Sequence, residues 1–93
     1  MRVKPNRTVV RGRVSSIRKE SDGWGAQVEL QVLQNESPSP EEDFLRPEEG
    51  STMTAFLPDP AELKVGDVVR AAASLNAGPF GGRSVIQSVE RLG

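Results

Sequence analysis

Residues 8–18, Thr8-Val9-Val10-Arg11-Gly12-Arg13-Val14-Ser15-Ser16-Ile17-Arg18, are rich in β-branched side chains and alternate imperfectly between apolar and polar. The period of two predicts a long first strand with Val10 and Val14 facing inward and Arg11 and Arg13 facing outward. Ile17 is out of phase with that pattern. It returns to the inner side only if an extra residue bulges near Ser15-Ser16. Gly12 falls on the inward phase, where a residue without a side chain marks a sharp bend, as expected of a strand shared by the two halves of a small barrel.

Working outward, Glu20-Ser21-Asp22-Gly23 is a hairpin turn signal, and Trp24 to Leu33 alternates cleanly, with Ala26, Val28, Leu30 and Val32 on one face and Gln27, Glu29 and Gln31 on the other. Residues 35–50 contain three Pro, six acids and one Arg. That composition predicts a long, partly mobile loop between strands two and three. Phe44 and Leu45 pin it to the rest, and Ser39-Pro40 offers a start for one helical turn. Ser51 to Leu57 reads as a short third strand, stopped by Pro58-Asp59-Pro60. Lys64-Val65-Gly66-Asp67 turns the chain into a fourth strand from Val68 to Leu75. Residues 76–82 form a Gly-rich hairpin loop, and Arg83 to Leu92 is the fifth strand. The chain of 93 residues is therefore expected to be one all-β domain over residues 7–92, preceded by a flexible N-terminus at residues 1–6.

Composition removes several classes of chemistry. There is no Cys and no His, so thiolate and imidazole metal sites, disulfides and His-based acid/base catalysis lose their usual groups. No phosphate-binding G-x-x-x-x-G-K-[ST] loop and no G-x-S-x-G elbow occurs. Asp59 and Glu62 share a short-helix spacing, which normally serves capping. The expectation is a non-enzymatic protein without catalytic residues, cofactor or metal. No apolar run approaches a bilayer-spanning length and Met1 to Pro5 do not open a signal peptide, so the expected setting is cytoplasmic, with no membrane partner.

The net charge of −1 conceals an asymmetry. Residues 1–19 hold seven basic side chains and no acid, residues 20–67 hold twelve acids and two bases, and residues 68–93 hold three Arg and one Glu. Such a chain can present one basic face despite an acidic middle. The acidic run Glu41, Glu42, Asp43, Glu48 and Glu49 lacks the spacing of a calcium loop and reads as a hydrated surface.

The five strands, the Gly12 bend, the tight first hairpin and Lys64-Val65-Gly66-Asp67-Val68-Val69-Arg70 together resemble a five-stranded Greek-key barrel of the OB (oligonucleotide/oligosaccharide-binding) family. The likeness is to bacterial single-stranded nucleic-acid-binding or tRNA-anticodon-binding modules, and it covers roughly residues 7–92. The chain departs from the family between strands three and four, where a helix is usual and only Pro60 to Leu63 is available, at most one turn. The resemblance implies a ligand face on strands two and three and the two flanking hairpin loops. In this sequence those positions are Lys19, Trp24, Gln27, Gln31, Phe80 and Arg83. Alternation adds Arg11 and Arg13, which with Arg7, Arg18 and Lys19 form a basic stripe suited to phosphates. Trp24 and Phe80 are the candidate stacking rings, although Trp24 is also in phase with Ala26 and Val28 and would serve equally to cap the barrel. Glu29, between Gln27 and Gln31, repels phosphate. Two readings follow: a single-stranded DNA- or RNA-binding module with weak sequence preference, or a protein-interaction or assembly module that binds no nucleic acid.

Overall fold

The computed structural model describes residues 6–20, 25–58, 63–78 and 81–92. Five strands follow in chain order: β1 (Thr8–Lys19), β2 (Ala26–Asn35), β3 (Thr52–Leu57), β4 (Val68–Gly78) and β5 (Gly81–Arg91). They close into a barrel in the order β1-β2-β3-β5-β4. Every neighbouring pair is antiparallel except β3 and β5, which meet in parallel through Phe56 and Val85. The chain is thus an all-β protein with a closed five-stranded barrel, and no helix occurs among the described residues. In particular, no helix is long and apolar enough to cross a membrane.

β1 serves both halves of the barrel. Residues Thr8 to Arg13 pair with β4, and Val10 to Lys19 pair with β2. The register slips between Val14 and Ser16, the expected bulge, which leaves Val14 buried and Ile17 packed against the core. A second slip lies between Arg11 and Gly12. A side chain on Gly12 would put its Cβ 3.0 Å from the backbone oxygen of Gln31 and 3.2 Å from Cβ of Leu30, so Gly is what lets β1 lie this close to β2 at the bend.

The inward phase is as alternation predicts. Val10, Val14, Val28, Leu30, Val32, Ala55, Leu57, Val69, Ala71, Ala73 and Ile86 form one cluster. Alanines on β4 keep the interior narrow, so Leu30 and Ile86 are the largest fully buried side chains. The Lys64–Asp67 turn is closed by Asp67, whose carboxylate accepts from the Lys64 N–H at 2.9 Å, and Gly66 takes the left-handed conformation (φ 98°) that the turn requires. The turn then docks on β1: the Gly66 N–H donates to the Val14 carbonyl, and the Val14 N–H to that of Asp67, both at 2.8 Å. Strands β4 and β5 run further into the Gly-rich segment than the sequence suggests, with Asn76 opposite Arg83 and Gly78 opposite Gly81. Residues 59–62, which contain most of the short link after β3, lie outside the described residues.

The acidic loop departs most from expectation. Asp43 is not hydrated; it is only 5% exposed. Its carboxylate accepts from the Thr8 hydroxyl (2.7 Å), the Asn35 side-chain amide (2.7 Å) and the Arg46 backbone N–H (2.8 Å). Further bonds sew the loop to β1 and β2: the Arg7 N–H donates to Glu42, the Glu36 N–H to Val9, the Val9 N–H to the Ser37 hydroxyl, and the Gly50 N–H to Val32. Of the two expected apolar pins, only Leu45 packs against the core; Phe44 stays at the surface. From Ser39 the chain makes a hydrogen-bonded turn, with the Glu42 N–H donating to the Ser39 carbonyl and the Asp43 N–H to that of Pro40.

Burial pushes the Asp43 carboxyl upward, but the bonds from Asn35, Thr8 and Arg46, with the Arg46 charge, outweigh it and hold the group below the ordinary aspartate value. A depressed carboxylate contributes stability that is complete above the ordinary carboxylate range and is lost as pH falls through that range to the folded-state value. Asp43→Asn leaves one side-chain oxygen for three donors and turns an amide N–H toward at least one of them, and is expected to cost roughly 1–3 kcal/mol. Urea unfolding at neutral pH checks the loss, and repeating it across the acid range should show a flatter pH dependence in the variant.

Candidate functional site

The residues out of phase with the core form the outer face of β1, β2 and β3. The strand registers align them in three rows: Arg13, Gln31 and Thr52; Ser16, Glu29 and Thr54; Arg18, Gln27 and Phe56, with Val85 of β5 continuing the last row. This face carries three of the strand residues expected from the sequence, Arg13, Gln27 and Gln31, with Lys19 at its edge and Arg83 across the β3–β5 seam.

Phe56 stands at the end of the last row, where the face meets β5. Its ring lies against Gly25, where an added Cβ would stand 2.5 Å from Cζ, and Gly25 has a φ of 74°. A residue without a side chain is therefore required twice over, for space and for backbone conformation. The guanidinium of Arg83 lies over the Phe56 ring, 3.9 Å from its centroid, within cation–π range. Arg83 Nη2 also donates to Glu20 Oε1 at 3.1 Å, and Gln27 Nε2 donates to the same oxygen at 3.0 Å. Glu20 is itself positioned by the hairpin, its N–H donating to the Gly25 carbonyl. Gly25 before β2 and Arg83 of β5 thus meet at one aromatic ring, and Glu20 ties Arg83 to Gln27 beside it.

Charge is divided unevenly over the barrel. Arg11 does not join a free basic stripe with Arg13, because Glu36 of the acidic loop pairs with it at 2.6 Å and with Arg70 of β4 at 2.7 Å. Arg70 also reaches Glu90 at 3.4 Å. The bond from Arg70, working against desolvation and helped by both guanidinium charges and the Arg11 bond, holds the Glu36 carboxyl below its ordinary value. Glu29, the acid on the face, is met by the Ser15 hydroxyl at 2.9 Å. Among the described residues, Arg13, Arg18 and Lys19 take part in no ion pair, and all three are exposed. Trp24 and Phe80, the two rings expected to stack, lie outside the described residues.

Sequence reasoning passed over Phe56, Glu20 and Gly25. The signal for Phe56 is present: with Met53, Ala55 and Leu57 turned toward the core, the period of two places Phe56 outward. Gly25 gives no such signal, since its importance comes from a ring more than thirty residues away in sequence. Gly25→Ala is expected to destabilise the fold by about 1–3 kcal/mol through strain at a positive φ and contact with the ring. Thermal melting measures the loss, and a shift of the Phe56 ring protons in NMR spectra reports the ring's displacement.

Comparison with protein-family models, with curated proteins and with solved structures finds no match for this chain.

Proposed function

We propose that the chain is an OB-like module that binds single-stranded DNA or RNA with weak sequence preference across the outer face of β1, β2 and β3. The observation that carries this reading is the Phe56 ring with Arg83 at 3.9 Å, set in a row with Arg18 and Gln27. An outward aromatic beside cations is the composition that base stacking and phosphate contact require. The strand order β1-β2-β3-β5-β4 in a closed barrel is compatible with an OB-like fold. Gln27 and Gln31 add amides able to donate to or accept from any base edge, which suits tolerance of sequence.

Arg13, Arg18 and Lys19 provide the phosphate contacts in this reading, while the Arg83 guanidinium is met by Glu20. Arg11 provides none, because Glu36 already neutralises it. A protein-interaction module is the second reading, favoured by Val65, 63% exposed in the turn before β4, and by the surface-exposed Val89 near the end of β5 and Leu92 just after it.

Fluorescence anisotropy of labelled single-stranded DNA and RNA 15-mers separates the two. With roughly three phosphate contacts, log K is expected to fall with log salt at a slope of about −2. Phe56→Ala is expected to weaken binding about tenfold, in line with the loss of one stacking partner. Absence of binding at low salt by the folded protein and by variants relieved of the Glu20 contact assigns the chain to the protein-interaction class.

A further inference from the structure

We infer that Glu20 occupies a phosphate site on this face and acts as a built-in competitor for it. The inference rests on the proposed nucleic-acid reading and deepens it by naming where one phosphate sits. Two donors from different strands, Gln27 Nε2 on β2 and Arg83 Nη2 on β5, converge on the single oxygen Oε1 of Glu20 at 3.0 and 3.1 Å. An amide and a guanidinium focused on one anionic oxygen form a receptor for carboxylate or phosphate alike. That receptor lies beside the Phe56 ring, because the same guanidinium covers it. A nucleotide unit with its base beside the covered ring, against the edge of the Arg83–Phe56 stack, and a phosphate oxygen in place of Oε1 would use both features at once.

The competitor is displaceable. Glu20 stands at the first residue after β1, on the entry to the hairpin; its backbone is anchored by the bond to Gly25, and its side chain, 33% exposed, remains in contact with solvent. The Arg83 side chain remains 52% exposed, so a ligand can approach the guanidinium without opening the barrel. Glu29, the other acid on the face, points its carboxylate at Ser15 and leaves Arg83 and Gln27 to Glu20. An exposed ion pair of this kind is weak enough to exchange for a ligand phosphate, yet it lowers apparent affinity by the cost of breaking it.

The test compares wild type with Glu20→Gln, Glu20→Ala and Glu90→Gln, using labelled oligo(dT) and oligo(U) 15-mers at several salt concentrations. Glu90→Gln changes the net charge by the same amount but lies on β5, paired to Arg70 and away from the ring. Circular dichroism establishes that each variant is folded. The expected result is that both Glu20 variants bind about three- to tenfold more tightly and that their salt slope steepens by about 0.7, one further phosphate contact, while Glu90→Gln leaves both values near wild type. Equal affinity and slope for wild type and the Glu20 variants overturns the inference and leaves the proposed face standing. An equal gain in Glu90→Gln also overturns it, since the effect is then one of overall charge. Failure of wild type and both Glu20 variants to bind at low salt overturns the nucleic-acid reading together with the inference.

Discussion

The barrel depends on β1 lying against two partners at once. Its first half pairs with β4 and nearly all of its length pairs with β2, and the chain can do both only by bending where Gly12 comes to 3.0 Å, measured from an added Cβ, of the Gln31 backbone. The bulge at Ser15 then restores the inward phase for Ile17. β4, held by β1, carries β5, and β5 carries Arg83 to the ring of Phe56 on β3. The position of the guanidinium over the ring is thus set at a bend on the far side of the sheet order. Close-packed protein interiors transmit small backbone shifts and do not absorb them.

Electrostatics gives the barrel a sidedness that its net charge hides. The acidic loop is fastened through the buried Asp43 and sends Glu36 between Arg11 and Arg70, so the cations of the β1–β4 side are met by carboxylates. The β1–β2–β3 side retains Arg13, Arg18 and Lys19 outside any ion pair among the described residues. Exposed ion pairs contribute little to stability, and their larger effect here is on where an approaching anion feels attraction.

Local pattern made much of this legible. Four residues in strict alternation, Ala26, Val28, Leu30 and Val32, announced β2, and the phase error between Val14 and Ile17 announced the bulge. The Lys64–Asp67 turn was legible because its chemistry is contained within four residues. What sequence could not supply were partnerships between distant segments. Asp43 reads as one acid among several until Thr8 and Asn35 are brought to it, and Arg11 reads as free until the loop delivers Glu36. Phe56 lay within reach of alternation, but a six-residue strand gives few periods in which to see it. Most of the candidate site is of this second kind, built where β2, β3, β5 and the first hairpin converge.

The closure of the barrel has one antiparallel-free seam, where β3 and β5 meet through the Phe56–Val85 pair. Parallel pairing is slightly weaker per residue, and a seam resting on a single aligned pair has little ladder to hold it. Phe56 and Arg83 stand on its two sides. Any molecule that grips both residues works as a clasp across the joint, and its binding energy adds to the free energy that keeps the joint shut. Occupancy of the face and integrity of the barrel are then linked equilibria, each raising the other by the same factor.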